Sequence, residues 1–204
     1  MKEIKENTYR GTRILIGNEK RDIINEMISI LRSKEYTEIQ IPIIQNIETF
    51  RNKVGDENRN MMFQFSDRGN RELCLAPEYT AVVQSLTETF KYMKDVKLFY
   101  IQECFRGERP QAGRYRQFTQ LGVEIINPSR NYVDELSQLA MELLGDGEFE
   151  LNVDAVRGLD YYKGGKGFEI SCNKLGAQKQ ICGGGEYEGG VGFAIGIDRI
   201  LLIK

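Results

Sequence analysis

The sequence predicts an α+β fold, an antiparallel sheet flanked by helices, on three observations. Residues 96–126 read as two β-runs joined by an arginine-rich loop, since Leu98, Tyr100 and Cys104 alternate on the way in and Phe118, Leu121, Val123 and Ile125 on the way out. Residues 18–31 and 131–144 carry apolar side chains at helical spacing. Short strand-like runs (EFELNV, KGFEISC, QKQIC and GVGFAI) fill the last third of the chain.

The totals narrow the field further. A chain of 204 residues forms one large domain or two small ones and can bury a full core. Hydrophobic content of 41% and charged content of 28% describe an ordinary soluble globular protein. A net charge of −2 excludes a protein that coats nucleic acid by bulk charge, so any such contact is local. No apolar run approaches bilayer length, and MKEIKENTYRGTR lacks the apolar core of a signal peptide, so no membrane contact and a cytoplasmic location are expected. The cysteines at 74, 104, 172 and 182 have no CxxC spacing, and the chain has no histidine. Thiolate zinc sites, imidazole bases and Ser-His-Asp chemistry are therefore not expected, and the cysteines read as buried and reduced. With no internal repeat or low-complexity linker, residues 1–204 form a single domain.

In chain order, YRGTR at 9–13 precedes an amphipathic helix with Asn18 as its N-cap and Ile23, Ile24, Met27, Ile28 and Leu31 on one face. The run YTEIQIPIIQ at 36–45 is a strand, alternating at Ile39 and Ile41 and stopping near Pro42. Residues 46–60 are polar and irregular, and 61–78 form a hairpin that turns at Asp67-Arg68-Gly69-Asn70. Pro77 suits the first turn of a helix running through Ala81, Val82, Leu86 and Phe90. The helix at 131–144 turns Val133, Leu136, Leu139, Ala140 and Leu143 inward and stops at Gly145. Gly183, Gly184 and Gly185 allow either a tight turn or a close approach of backbone to a flat ligand. The final segment is a strand running into a helix.

The hairpin loop holds four arginines (Arg106, Arg109, Arg114 and Arg116) within eleven positions. Like charges this close repel unless anions sit among them, and the guanidinium fork suits phosphate oxygens. A solvated hairpin tip is the alternative for a basic cluster taken alone. The stretch FRGERPQAGRYRQFTQLGVE at 105–124 resembles the second signature motif of class II aminoacyl-tRNA synthetases, in the version carried by bacterial-type histidyl-tRNA synthetases. The match is nearly unbroken over twenty positions of varied chemistry.

Other segments are similar to the same family, in its order. RGTR at 10–13 resembles the family's start, and the first helix, strand and proline resemble the first class II motif, which builds the dimer interface. LAPEYTA at 75–81 resembles Leu-Arg-Pro-Glu-Gly-Thr-Ala, with Ala76 and Tyr79 in place of arginine and glycine. VRGLDYY at 156–162 is the family's histidine-specific signature, and GGGEY at 183–187 departs from it by Glu186 in place of an arginine. GVGFAIGIDRILLI at 190–203 is similar to the third class II motif.

The resemblance implies a class II-type antiparallel sheet and a two-step reaction. Histidine's carboxylate attacks the α-phosphorus of ATP, and the terminal adenosine of tRNA(His) then takes the histidyl group. It further implies that Arg106 binds the α-phosphate, Arg199 the γ-phosphate, and Arg157 the charge between carboxylate and phosphate, with Mg²⁺ bridging the phosphates and no side chain assigned to the metal. Glu78, Thr80 and Gln120 fix the amino and carboxylate groups of histidine. Glu124, Tyr161, Tyr162 and Tyr187 line the imidazole pocket, Phe118 stacks on adenine and Glu108 lies near its amino group. Arg109, Gln111, Arg114 and Arg116 would read the extra 5′ nucleotide of the acceptor stem. The family's inserted domain is reduced here to a helix and a strand, and its anticodon-binding domain has no counterpart in these residues, which points to a minimal ligase and a homodimer. The alternatives are a non-catalytic paralogue, like the histidine-binding regulatory subunit of ATP phosphoribosyltransferase, or a module activating histidine for another acceptor.

Overall fold

The computed structural model describes residues 1–4, 8–51, 53, 59–156, 162, 166–176 and 178–204. In chain order its elements are β1 Lys2–Ile4, β2 Ile14–Ile16, α1 Glu19–Ser33, β3 Thr37–Glu38, β4 Ile44–Asn46, β5 Gln64–Ser66, β6 Glu72–Leu75, α2 Thr80–Gln84, β7 Val96–Phe105, β8 Gln117–Ile126, α3 Val133–Leu144, β9 Phe149–Val156, β10 Lys166–Cys172, β11 Gln180–Tyr187, β12 Gly190–Gly196 and α4 Ile197–Ile200. Seven strands form the main sheet in the order β3-β7-β8-β12-β11-β10-β9, a smaller sheet runs β4-β6-β5, and β1 pairs with β2. Within the main sheet, β3 lies parallel to β7 and the other neighbours are antiparallel. The α+β class, with a large antiparallel sheet flanked by helices, is what the sequence predicts.

Alternation along the central strands sorts the core into two clusters. Phe99 of β7, Leu121, Val123 and Ile125 of β8, and Val191, Phe193 and Ile195 of β12 pack with the apolar stripes of α1 and α3. Those stripes are the expected ones: Ile23, Ile24, Met27 and Leu31 on α1, and Leu136, Leu139, Ala140 and Leu143 on α3. Each of the Ile, Leu and Met side chains so buried stabilises by about 1.5–3 kcal/mol. Leu98, Tyr100, Cys104 and Ile126 belong to the second cluster, with Cys74, Ala76, Tyr79 and Phe50. The candidate site described below lies on this second face. All four cysteines are buried and free of disulfides. No helix among the described residues is long and apolar enough to cross a membrane.

Several local expectations change. Asn18 occupies the N-cap position of α1 but in helical backbone, and its side chain makes no capping bond; the turn is made instead at Gly17, whose φ is 138°. The strand expected at 36–45 breaks in two, β3 and β4, because Pro42 has no N–H to give. Ile39 still donates to Phe99 O at 2.8 Å, after which the chain crosses to the small sheet. The helix expected from Pro77 spans only Thr80–Gln84. The Glu78 carboxylate accepts from Ala81 N at 3.1 Å and fixes its start, while Ser85 and Thr87 hydroxyls bond back to Val82 O and Gln84 O beyond its end. Gly183, Gly184 and Gly185 form neither turn nor loop: they lie inside β11, opposite Ala194, Phe193 and Gly192. The hairpin at 61–78, the long β7–β8 hairpin and the closing strand-to-helix segment stand as predicted.

Candidate active site

Glu124 is the centre of one end of the site. It lies on β8 with none of its surface exposed. Thr80 Oγ1 donates to its Oε1 and the Tyr187 hydroxyl to its Oε2, each at 2.9 Å. Burial pushes its pKa up to about 8, against the pull of those two hydrogen bonds and with added repulsion from Glu78. The carboxyl group is therefore mostly protonated at neutral pH, an acid-base group in a chain without histidine. Lys53 Nζ donates to Ala81 O at 3.2 Å, beside Glu78, whose charge partly offsets the lowering of the Lys53 pKa by burial.

Strand pairing explains how three bulky side chains fit on one face. Tyr100 is opposite Gly122, Glu124 opposite Gly192, and Tyr187 opposite Gly190. In each pair the large side chain lies across its glycine partner, filling the place where a Cβ would stand. An isolated bridge from Tyr162 to Tyr187 brings Tyr162, 8% exposed, to the same edge of the pocket. On the neighbouring row, Cys104 Sγ donates to Gln120 Oε1 at 3.1 Å. Burial raises the Cys104 pKa and keeps it a thiol, so the Gln120 amide nitrogen is turned away from it and remains a donor.

The arginines gather at the other end. Arg106 Nε donates to Pro77 O at 2.9 Å, and its guanidinium stands 5.2 Å over the Phe118 ring. Glu108 lies between Arg106, at 3.9 Å, and Arg114, at 2.8 Å. Arg199 donates through Nε to Gly113 O at 2.9 Å and through a terminal nitrogen to Gln180 O. Burial lowers its pKa, and the Arg106 and Arg114 charges lower it further against Glu108 and Glu169. Arg106, Arg114 and Arg199 thus share one electrostatic neighbourhood, in which three cations face two carboxylates. That surplus fits a polyphosphate. Among the described residues no group of three or more Asp, Glu, His or Cys is placed to hold a metal ion.

The remaining loop residues divide by exposure. Arg109 and Gln111 are exposed. Arg114 also donates to Gln178 Oε1 at 2.9 Å, and Arg116 donates to Glu108 O at 3.0 Å and to the Tyr9 hydroxyl at 2.6 Å, 5.0 Å above that ring. The Arg116 backbone N–H bonds Gly11 O, so the segment at 9–12 braces the loop. Arg157 and Tyr161 lie outside the described residues. Of the expected site, the structure brings together Glu78, Thr80, Gln120, Glu124, Tyr162 and Tyr187 at one end and Arg106, Glu108, Arg114, Phe118 and Arg199 at the other.

Three participants were not anticipated. Tyr79, in place of a glycine, is fully buried and donates to Glu103 O at 2.8 Å, with its ring centroid 5.4 Å from that of Tyr100. Arg13, stacked 3.5 Å over Tyr115, forms a buried ion pair with Asp198, whose second oxygen accepts from Thr119 N at 2.5 Å. Tyr100 presents a buried hydroxyl on the same face of the sheet as Glu124. Its place opposite a glycine was the available signal.

A family model described as histidyl-tRNA synthetase matches residues 18–145. A histidine–tRNA ligase of Methanococcus vannielii is 39% identical over 152 residues, 71% of this chain and 36% of that protein. The chain thus spans little more than a third of that relative's length. Among solved structures, apo S. aureus histidyl-tRNA synthetase is 28% identical with a TM-score of 0.75, covering 97% of this chain and 70% of that one. A Bacillus halodurans protein titled ATP phosphoribosyltransferase regulatory subunit/histidyl-tRNA synthetase shares the fold at 17% identity and a TM-score of 0.79, covering all of this chain and 84% of that one.

Proposed function

The chain belongs to the histidyl-tRNA synthetase family, and from that premise we propose that it carries the catalytic domain of a histidine–tRNA ligase, which activates histidine with ATP and passes it to tRNA(His). The observation that carries the reading is the division of one sheet face into a carboxyl-centred pocket at Glu124 and a guanidinium cluster at Arg106 and Arg199. Activation asks for positioning and charge neutralisation more than for an acid or base. Arg106 and Arg199 hold the α- and γ-phosphates, and Arg157 meets the charge that develops as the carboxylate attacks the α-phosphorus. Phe118 and Glu108 seat the adenine. Glu78, Thr80 and Gln120 hold the amino and carboxylate groups of histidine, while Glu124, Tyr161, Tyr162 and Tyr187 surround its ring. Hydrogen-bonding pockets of this type reject analogues that leave their polar groups unpaired. Magnesium, when bound, neutralises phosphate charge. The exposed side chains of Arg109 and Gln111, with Arg114 and Arg116, face the acceptor stem. A cytoplasmic homodimer is part of the proposal.

Histidine-dependent exchange of labelled pyrophosphate into ATP tests the first step, and charging of tRNA(His) the second. Exchange that no amino acid stimulates would refute the enzymatic reading. One observation favours a second reading, a histidine-binding paralogue that charges no tRNA: Arg114 and Arg116 are already bonded to Glu108, Gln178 and Tyr9. Histidine binding without exchange is its signature.

A further inference from the structure

The cations of the arginine cluster come from two places: Arg106 and Arg114 from the β7–β8 loop, and Arg199 from α4. A helix of four residues does not hold its own orientation, because one turn has too few backbone bonds to support itself. The Asp198 side chain pins α4 instead. Its Oδ2 accepts from Thr119 N at 2.5 Å, and Arg13 donates to its Oδ1. Lys20 reaches the same oxygen only at 3.7 Å. The Arg13 side chain is 4% exposed, and its guanidinium lies 3.5 Å from the centre of the Tyr115 ring, between Arg114 and Arg116 in the loop. Two residues earlier, Gly11 O accepts from Arg116 N at 2.8 Å, and Gly11 (φ 90°) leaves no room for a Cβ against Pro110 and Arg116. Arg13 therefore touches both carriers of the cluster, the loop through Tyr115 and α4 through Asp198.

We propose that Arg13 is a positioning residue for the nucleotide: held between Tyr115 and Asp198, it sets the spacing between the loop arginines and Arg199, and with it the span of polyphosphate that they meet together. The proposal rests on the reading of this end of the cleft as a triphosphate site. Arg13 is not one of the binding groups, since its charge is paired with Asp198 and its side chain is nearly excluded from solvent. A guanidinium suits the task because it offers an edge to a carboxylate and a flat face to an aromatic ring at the same time. Arg199 also reaches the loop directly, donating through Nε to Gly113 O at 2.9 Å. That link uses the donors a phosphate would draw on. The Arg13 clasp uses none of them, so it keeps loop and helix in register while Arg199 turns to an anion.

Calorimetric titration of the full chain with ATP, AMP and histidine in turn tests this. Arg13→Met is expected to weaken ATP binding by about tenfold and to leave AMP and histidine affinities unchanged, because only a triphosphate spans both sets of cations. Arg13→Lys keeps a charge on Asp198 and is expected to recover part of that loss. Tyr115→Leu removes the loop contact while sparing the ion pair, is expected to show the same ATP-selective loss, and carries the test should Arg13→Met not fold. ATP affinity equal to wild type in Tyr115→Leu overturns the proposal. So does an equal loss for all three ligands in a folded variant, which is the mark of a merely structural role. A wild-type chain that binds ATP no more tightly than AMP overturns the reading of this end as a triphosphate site, and is distinguished because it is seen before any substitution is made.

Discussion

Glu124 lies across Gly192, the residue directly opposite it on β12, with its Oε2 in the space where a side chain at 192 would begin. This fully buried carboxyl group is thus placed by the absence of a methyl group on the next strand. Gly192→Ala is expected to push Glu124 off the sheet, breaking its bonds to Thr80 and Tyr187. Overpacking of this sort costs about 1–3 kcal/mol. Urea unfolding should show that loss, and calorimetry should show histidine binding weakened by at least about tenfold.

Glu124 also sets a pH dependence. Its pKa rises from 4.5 to about 8 on folding, so between those values the unfolded chain has released a proton that the folded chain keeps. The contribution of this group to stability is greatest below about pH 4.5, declines as pH rises, and is gone above about 8. Glu124→Gln should flatten that part of the stability profile, read by thermal melts across the range. An unchanged slope would count against the burial assigned to this carboxyl.

Arg106 and Arg199 should separate nucleotide from amino acid. Replacing either by alanine is expected to lower pyrophosphate exchange by about a hundredfold or more, with histidine binding by calorimetry changed far less. Equal losses of both would mean that the two ends of the cleft are not independent.

Asp198 holds Arg13, and both side chains are nearly excluded from solvent, at 5% and 4% exposure. Asp198→Asn leaves the guanidinium with Glu3 at 3.7 Å and is expected to destabilise by about 3 kcal/mol in chemical denaturation. Arg13→Met, which removes the buried cation from the other side, should not restore wild-type stability, because Thr119 N and Lys20 also depend on Asp198.

Recognition at the acceptor end predicts that charging of tRNA(His) falls when its extra 5′ nucleotide is removed, and that Arg109→Ala reduces the difference. Equal charging of the two tRNAs, measured with labelled histidine, would refute acceptor-end reading.

Much of this was legible in the chain. The β7–β8 hairpin announced itself through alternation, and α1 and α3 through their apolar stripes. The pocket residues Glu78, Thr80, Glu124 and Tyr187 were found by motif, far apart in sequence and together in space. What stayed hidden was set by partners rather than by local pattern. The glycines at 183–185 look like a turn until β12 and β10 are laid on either side of them. Pro77 suggests a helix start, yet α2 begins at Thr80 because the Glu78 side chain takes the Ala81 N–H. Tyr79 stands out only as a departure from a glycine and Tyr100 only as part of a strand's alternation, and the register against Gly122 shows Tyr100 standing on the same face as Glu124.

The clasp between Arg13 and Asp198 joins positions 185 residues apart. Around it, Gly11 and Tyr9 support Arg116, while the residue next to Asp198 is Arg199. Synthesis must therefore run from Arg13 through Asp198 before this clasp can form. Until α4 has been made, the support that Tyr9 and Gly11 give to Arg116 stands without the Arg13–Asp198 clasp, so the arginine end of the cleft is completed only by pairing across 185 positions.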